Sequence, residues 1–103
     1  MEKYVGFDDL QDIKKNFDSD CDGLLDEEVL FASYGNECYE GFAIVLFKRD
    51  GKLYTSEGSH CSCHGLEGQW DMIETTKEIL SKRKFTSYEQ PGIIDFLKDF
   101  LKD

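Results

Sequence analysis

The pentapeptide His60-Cys61-Ser62-Cys63-His64 places four potential metal ligands within five residues. Thiolate and neutral imidazole are the preferred donors for zinc, so this spacing points first to a metal. In an extended strand Cys61 and Cys63 face one side, and His60 and His64 the other. In a helical turn the two histidines share a face at i, i+4. Neither conformation wraps all four donors tetrahedrally around one ion. A tight irregular turn helped by Gly65 is one solution. The other is that two or three of the four bind and a distant residue closes the shell. Cys21, Cys38, Glu67 and Asp71 are the candidates for that position. The spacing is not the two separated pairs of a standard finger.

A structural ion fits this chain better than a catalytic one. A small acidic fold gains stability directly from metal binding. Catalysis needs an open coordination position and a nearby general base. Glu67 is the candidate base, but nothing else in the sequence builds a substrate pocket. The plain alternative is a loop with exposed histidines and two free thiols.

A second motif, Asp18-Ser19-Asp20-Cys21-Asp22-Gly23, copies the opening of a calcium-binding EF-hand loop, with acids at positions one, three and five and glycine at six. The copy then fails. Position twelve, where a bidentate glutamate belongs, is Val29, and Glu28 arrives one residue early. An acidic turn or a weak cation site fits the pattern better. No serine-histidine-acid order, glycine-rich phosphate loop or dinucleotide fingerprint is present. Cys61 or Cys63 beside a histidine is a weak nucleophile candidate, because adjacent residues seldom face one another.

Charge carries the remaining information. The net charge is −10, and residues 1–40 hold twelve acids against three bases. Asp8, Asp9 and Asp12, followed by Asp18, Asp20, Asp22, Asp26, Glu27 and Glu28, are expected to form an anionic stripe. Such a field disfavours direct nucleic-acid binding and attracts a basic partner. It can also occupy a channel built for the regularly spaced charges of a duplex. An acidic face that merely keeps the protein dissolved is the competing explanation.

The elements that must position these residues fit one domain spanning 1–103. An apolar fraction of 40% is enough to order a small fold. Phe7, Leu10, Ile13 and Phe17 predict a helix over residues 8–17, with Asp8 and Gln11 as its capping pair. Residues 29–34 are strand-like, and residues 42–47 (FAIVLF) are apolar at every position, as a strand covered on both faces requires. Asp50-Gly51 predicts a hairpin that sets Tyr54 opposite Phe47. Gly58-Ser59 is expected to end the returning strand, leaving the ligand cluster in a loop. A second helix is expected over residues 72–84, capped by Asp71 and Glu74. A third is opened by Pro91 at its first turn. Its buried face should carry Ile94, Leu97 and Leu101, with Ile93, Phe96 and Phe100 beside them. The fold class is α+β: an antiparallel sheet of three or more strands with about three helices, a small single domain stabilised by a zinc site.

Met1-Glu2-Lys3-Tyr4 lacks the basic and apolar regions of a secretory signal, so a cytosolic setting is expected. There a disulfide framework is disfavoured, and Cys61 and Cys63 are too close to pair without strain.

The stretches Tyr39-Glu40-Gly41-Phe42, Asp50-Gly51-Lys52-Leu53-Tyr54 and His60-Cys61-Ser62-Cys63-His64-Gly65-Leu66-Glu67-Gly68-Gln69-Trp70 resemble small proteins encoded by bacterial viruses. The similarity covers about residues 28–80. Among acidic phage proteins, the chain resembles a zinc-containing anti-CRISPR inhibitor of the type II RNA-guided DNA endonuclease. That resemblance implies a non-enzymatic inhibitor in the host bacterial cytoplasm. It would bind a basic surface of the nuclease and block DNA engagement, touching neither nucleic acid nor membrane. The metal residues it implies are His60, Cys61, Cys63 and His64. The acidic first forty residues lie largely outside the shared segment. Other targets remain open, as do a small zinc hydrolase or nuclease and a virion protein.

Overall fold

Residues 42–47 are apolar throughout because both of their faces are covered. A computed structural model of the chain describes residues 3–37, 40–60, 65–85 and 91–102. Within it lies a five-stranded sheet whose spatial order follows the chain: β1 (Tyr4–Val5), β2 (Val29–Glu37), β3 (Glu40–Arg49), β4 (Lys52–His60) and β5 (Ile73–Thr75). The central strand is β3, and Ala43, Ile44, Val45, Leu46 and Phe47 are all buried.

Helix α1 (Leu10–Phe17) covers one face through Leu10, Ile13 and Phe17, against Ala32, Ala43, Val45 and Phe47. Helices α2 (Lys77–Lys82) and α3 (Ile93–Phe100) cover the other, where Leu80, Ile93 and Leu97 meet Phe31, Ile44 and Leu46. Each fully buried large side chain contributes about 1.5–3 kcal/mol of transfer free energy. Both cores are therefore needed at this chain length.

One extra residue in β2 joins the two cores. Val29 pairs with Phe47 but Phe31 pairs with Leu46, a bulge that reverses the side-chain parity. Val29 thus belongs to the α1-side core and Phe31 to the opposite one. The hairpin follows its sequence signal. Asp50 (φ 53°) and Gly51 (φ 77°) both have positive φ, as the primed turn requires, and Tyr54 pairs with Phe47.

The structure corrects several expectations. The sheet is mixed, not antiparallel, because β1 runs parallel to β2 across the α1 connection. Strand β4 does not end at Gly58-Ser59; it continues to His60, paired with Gly41. The helix expected over residues 72–84 is split. Ile73–Thr75 adds to the sheet edge opposite residues 53–55, and Thr76 caps α2 by accepting from the Ile79 N–H at 3.1 Å. Asp71 and Glu74 therefore form no capping pair.

The cap of α1 also falls one residue later than expected. Asp9 accepts from the Asp12 N–H and Asp12 accepts from the Asp8 N–H, each at 2.9 Å. Pro91 precedes the α3 cap, Gly92, whose φ of +83° suits glycine. In α3 the buried residues are Ile93 and Leu97, whereas Ile94 is 37% exposed.

Candidate functional site

His60 ends β4 on the α1 side of the sheet, and two neighbouring strands fix its ring. Tyr34 of β2 places its hydroxyl 2.8 Å from Nδ1, and the two rings meet edge-on at 87° with centroids 5.4 Å apart. Between them lies β3, where Gly41 faces His60; a Cβ at Gly41 would fall inside the imidazole. The absent side chain is what lets the ring lie over the strand.

Burial, and after it the charge of Glu67, hold the Tyr34 hydroxyl above its ordinary pKa. Tyr34 therefore stays protonated. Two tautomers satisfy its bond to His60. When Nδ1–H donates to the tyrosine oxygen, Nε2 keeps a lone pair, the arrangement of a metal-ligating histidine oriented by an outer partner.

Cys61, Cys63 and His64 lie outside the described residues, as does Cys38. Their flanks are firmly held. On the far side of the cluster, Gln69 acts as a substitute strand on the open edge of β4. Its Oε1 accepts from the Ser59 N–H at 2.9 Å, and its Nε2 donates to the carbonyls of Ser59 at 2.7 Å and Gly65 at 2.8 Å. The Asp71 N–H donates to Ser56 Oγ further along the same edge. Leu66 is buried in the α1-side core. Trp70 packs edge-on against Phe17 and stacks on Phe47, while its indole N–H donates to Asp22. The Gly68 N–H reaches the Phe17 carbonyl. The segment Gly65-Leu66-Glu67-Gly68-Gln69-Trp70 is thus a latch tying the sheet edge to the end of α1.

The proposed closing ligands occupy different surroundings. Glu67 and Asp71 are both exposed, and the charge of Glu67 reaches Tyr34. Cys21 is fully buried among core side chains, its thiol directed at the Ser19 carbonyl, and burial pushes its pKa up to about 11. That setting favours a packed neutral thiol over a thiolate. Among the described residues, no group of three or more histidine, cysteine or acidic side chains is arranged to hold a metal. The Asp18–Asp20–Asp22 series does not converge. Asp18 caps α1 in a left-handed conformation, Asp20 pairs with Lys14 at 3.4 Å, and Asp22 serves Trp70.

The expected anionic stripe is only partly free. Asp9 and Asp12 cap α1, Asp20 and Asp22 have the partners just given, and Asp26 binds Lys3 and the Tyr4 hydroxyl. These last bonds lower the Asp26 pKa, Tyr4 contributing most. Glu28 receives both Nε and Nη2 of Arg49 at 2.9 Å, which holds its carboxyl down to about 2. Asp8, Asp18 and Glu27 remain exposed, and their carboxylates form no hydrogen bond or ion pair among the described residues. Seven of the nine acids, all but Asp12 and Glu28, are exposed.

Sequence reasoning missed Tyr34 and Gln69. Tyr34 lies two strands away from His60, and no local spacing links them. The Gln69 amide carries no sequence signal beyond its nearness to the cluster. No protein-family model matches the chain, and neither a curated protein nor a solved structure matches it.

Proposed function

We propose that this protein is a phage-encoded binding protein that inhibits a nucleic-acid enzyme of bacterial defence. Its first candidate target is the type II CRISPR RNA-guided DNA endonuclease. The observation that carries the reading is the layer formed by α1 and the turns after it, where seven acidic residues are exposed, the carboxylates of Asp8, Asp18 and Glu27 holding no other group among the described residues. Caps and ion pairs fix several of the seven in position, which lowers the ordering cost of meeting a basic surface. Charge of this kind competes with a duplex for a basic channel.

A zinc ion bound by His60 with Cys61, Cys63 and His64 would fix the chain between β4 and the latch. Tyr34 would orient His60, and Glu67, whose charge reaches Tyr34, would complete the shell. Elemental analysis of the purified protein tests this part: about one zinc per chain is expected, and none removes the claim. The target class is tested by capture from host lysate, with a basic defence nuclease as the expected partner. The site of action would then be the host cytoplasm; among the described residues no helix is long and apolar enough to cross a membrane.

The Tyr34–His60 bond, with the charge of Glu67 acting on Tyr34, favours one other reading, a small zinc hydrolase with Glu67 as general base. It predicts turnover that disappears on Glu67→Gln while zinc stays bound.

A further inference from the structure

The opposite layer of the molecule carries a feature that an acidic binding face does not use. Residues of α2 and α3 line an open groove of about 740 Å³, floored by Leu80, Leu97 and Leu101. Its rim holds Lys84, Lys98 and Lys102, and no acidic residue lines it among the described residues. That is a local reversal of sign in a chain of net charge −10. Asp95 and Asp99, 4.0 Å from Lys98 and Lys102 on the exposed helix surface, offset part of their charge, but neither acid lines the groove and Lys84 has no ion pair among the described residues. Ile94, 37% exposed, extends the apolar surface along α3.

We propose that this groove docks an amphipathic helix with acidic flanks, supplied by a partner protein. Two observations select that occupant. The groove is open along one side and bounded by helices, as helix-in-groove recognition requires, and the eight-residue α3 presents about 12 Å of wall, enough for anchors at i, i+4 and i+7. Its basic rim selects acidic residues beside those anchors. The inference is independent of the reading given for the acidic layer, since the two surfaces lie on opposite faces of the sheet and attract opposite charges.

The test uses the intact protein labelled with ¹⁵N and a synthetic helical peptide of about fourteen residues, leucine on one face and glutamate on the other. The glutamate peptide should saturably shift the amides of Leu80, Leu97 and Leu101. Its lysine counterpart should leave them unmoved and perturb the acidic layer instead. Lys98→Glu combined with Lys102→Glu should weaken binding about tenfold, and Ile94→Asp should abolish it. Both changes are on exposed positions, so the amide spectrum should otherwise keep its dispersion. Equal binding of the two peptides, shifts outside the groove, or indifference to the lysine reversals would overturn the proposal. So would concentration-dependent self-association lost on Ile94→Asp, which would give the groove to a second copy.

Discussion

The hydroxyl of Tyr34 lies 2.8 Å from Nδ1 of His60, so a residue two strands away holds the imidazole that opens the ligand-rich pentapeptide. That bond costs His60 its freedom to rotate, and the missing side chain at Gly41 leaves room for the ring. For the zinc site proposed above, Tyr34→Phe should weaken metal binding about tenfold, the usual effect of losing an outer partner of a ligating histidine. Gly41→Ala should weaken it further, because a Cβ there meets both the imidazole and the Gly35 carbonyl of β2. Competition with a chromophoric chelator measures both, and affinity unchanged in both variants would separate His60 from the metal.

Gln69 replaces a strand at the β4 edge, so its loss should be felt along that edge. Gln69→Ala removes three hydrogen bonds and is expected to cost about 1–3 kcal/mol in urea unfolding. Hydrogen exchange should accelerate first at the Ser59 amide. Gln69→Glu keeps the acceptor for Ser59 N–H but turns a carboxylate oxygen onto the Ser59 and Gly65 carbonyls, and should cost at least as much as Gln69→Ala at neutral pH.

The Glu28–Arg49 pair predicts the acid limb of the stability curve. Bonding to Arg49 lowers the Glu28 pKa from 4.5 to about 2. Stability from this pair is therefore complete above the unfolded value of about 4.5 and is lost as pH falls towards 2. Glu28→Gln should lower stability by about 1–2 kcal/mol at pH 7, with the gap to the native protein closing across that window. Denaturant melts at several pH values give the comparison directly.

Cys21 should behave as a core thiol. With its pKa raised from 9 to about 11, its contribution is fully present below 9 and is lost as pH climbs through 11. At pH 8 it should resist iodoacetamide until the protein unfolds, as peptide mass spectrometry can show. Alkylation of Cys21 prompted by a chelator alone would instead make it a metal ligand.

Much of this framework is written locally in the chain. The double-sided apolar run of β3, the Asp50-Gly51 turn and the α1 stripe all reflect short-range pattern, and each forms where expected. The errors arise where distant pairing overrides local preference. Ile73, Glu74 and Thr75 fit a helical stripe, yet residues 53–55 recruit them as an edge strand. β1 has only two residues and no period to read, so its parallel pairing with β2 is a tertiary outcome. Ile93 and Ile94 are alike in sequence, and only packing buries the first and leaves the second exposed. At the candidate site His60 is singled out by its type and spacing, whereas Tyr34 acts from two strands away and Gln69 from the loop beyond the β4 edge.

Affinity after selective charge removal decides whether the acidic layer meets a basic nuclease, as proposed. Asp8→Lys, Asp18→Asn and Glu27→Lys together alter three exposed carboxylates that hold no other group among the described residues. Asparagine at 18 tolerates the left-handed cap conformation there (φ 50°). Calorimetric titration into the guide-loaded type II endonuclease, at low and at physiological salt, should give tight and salt-sensitive binding for the native protein. The triple variant should bind at least about a hundredfold more weakly. Equal affinity of native and variant proteins at both salt concentrations would contradict the account.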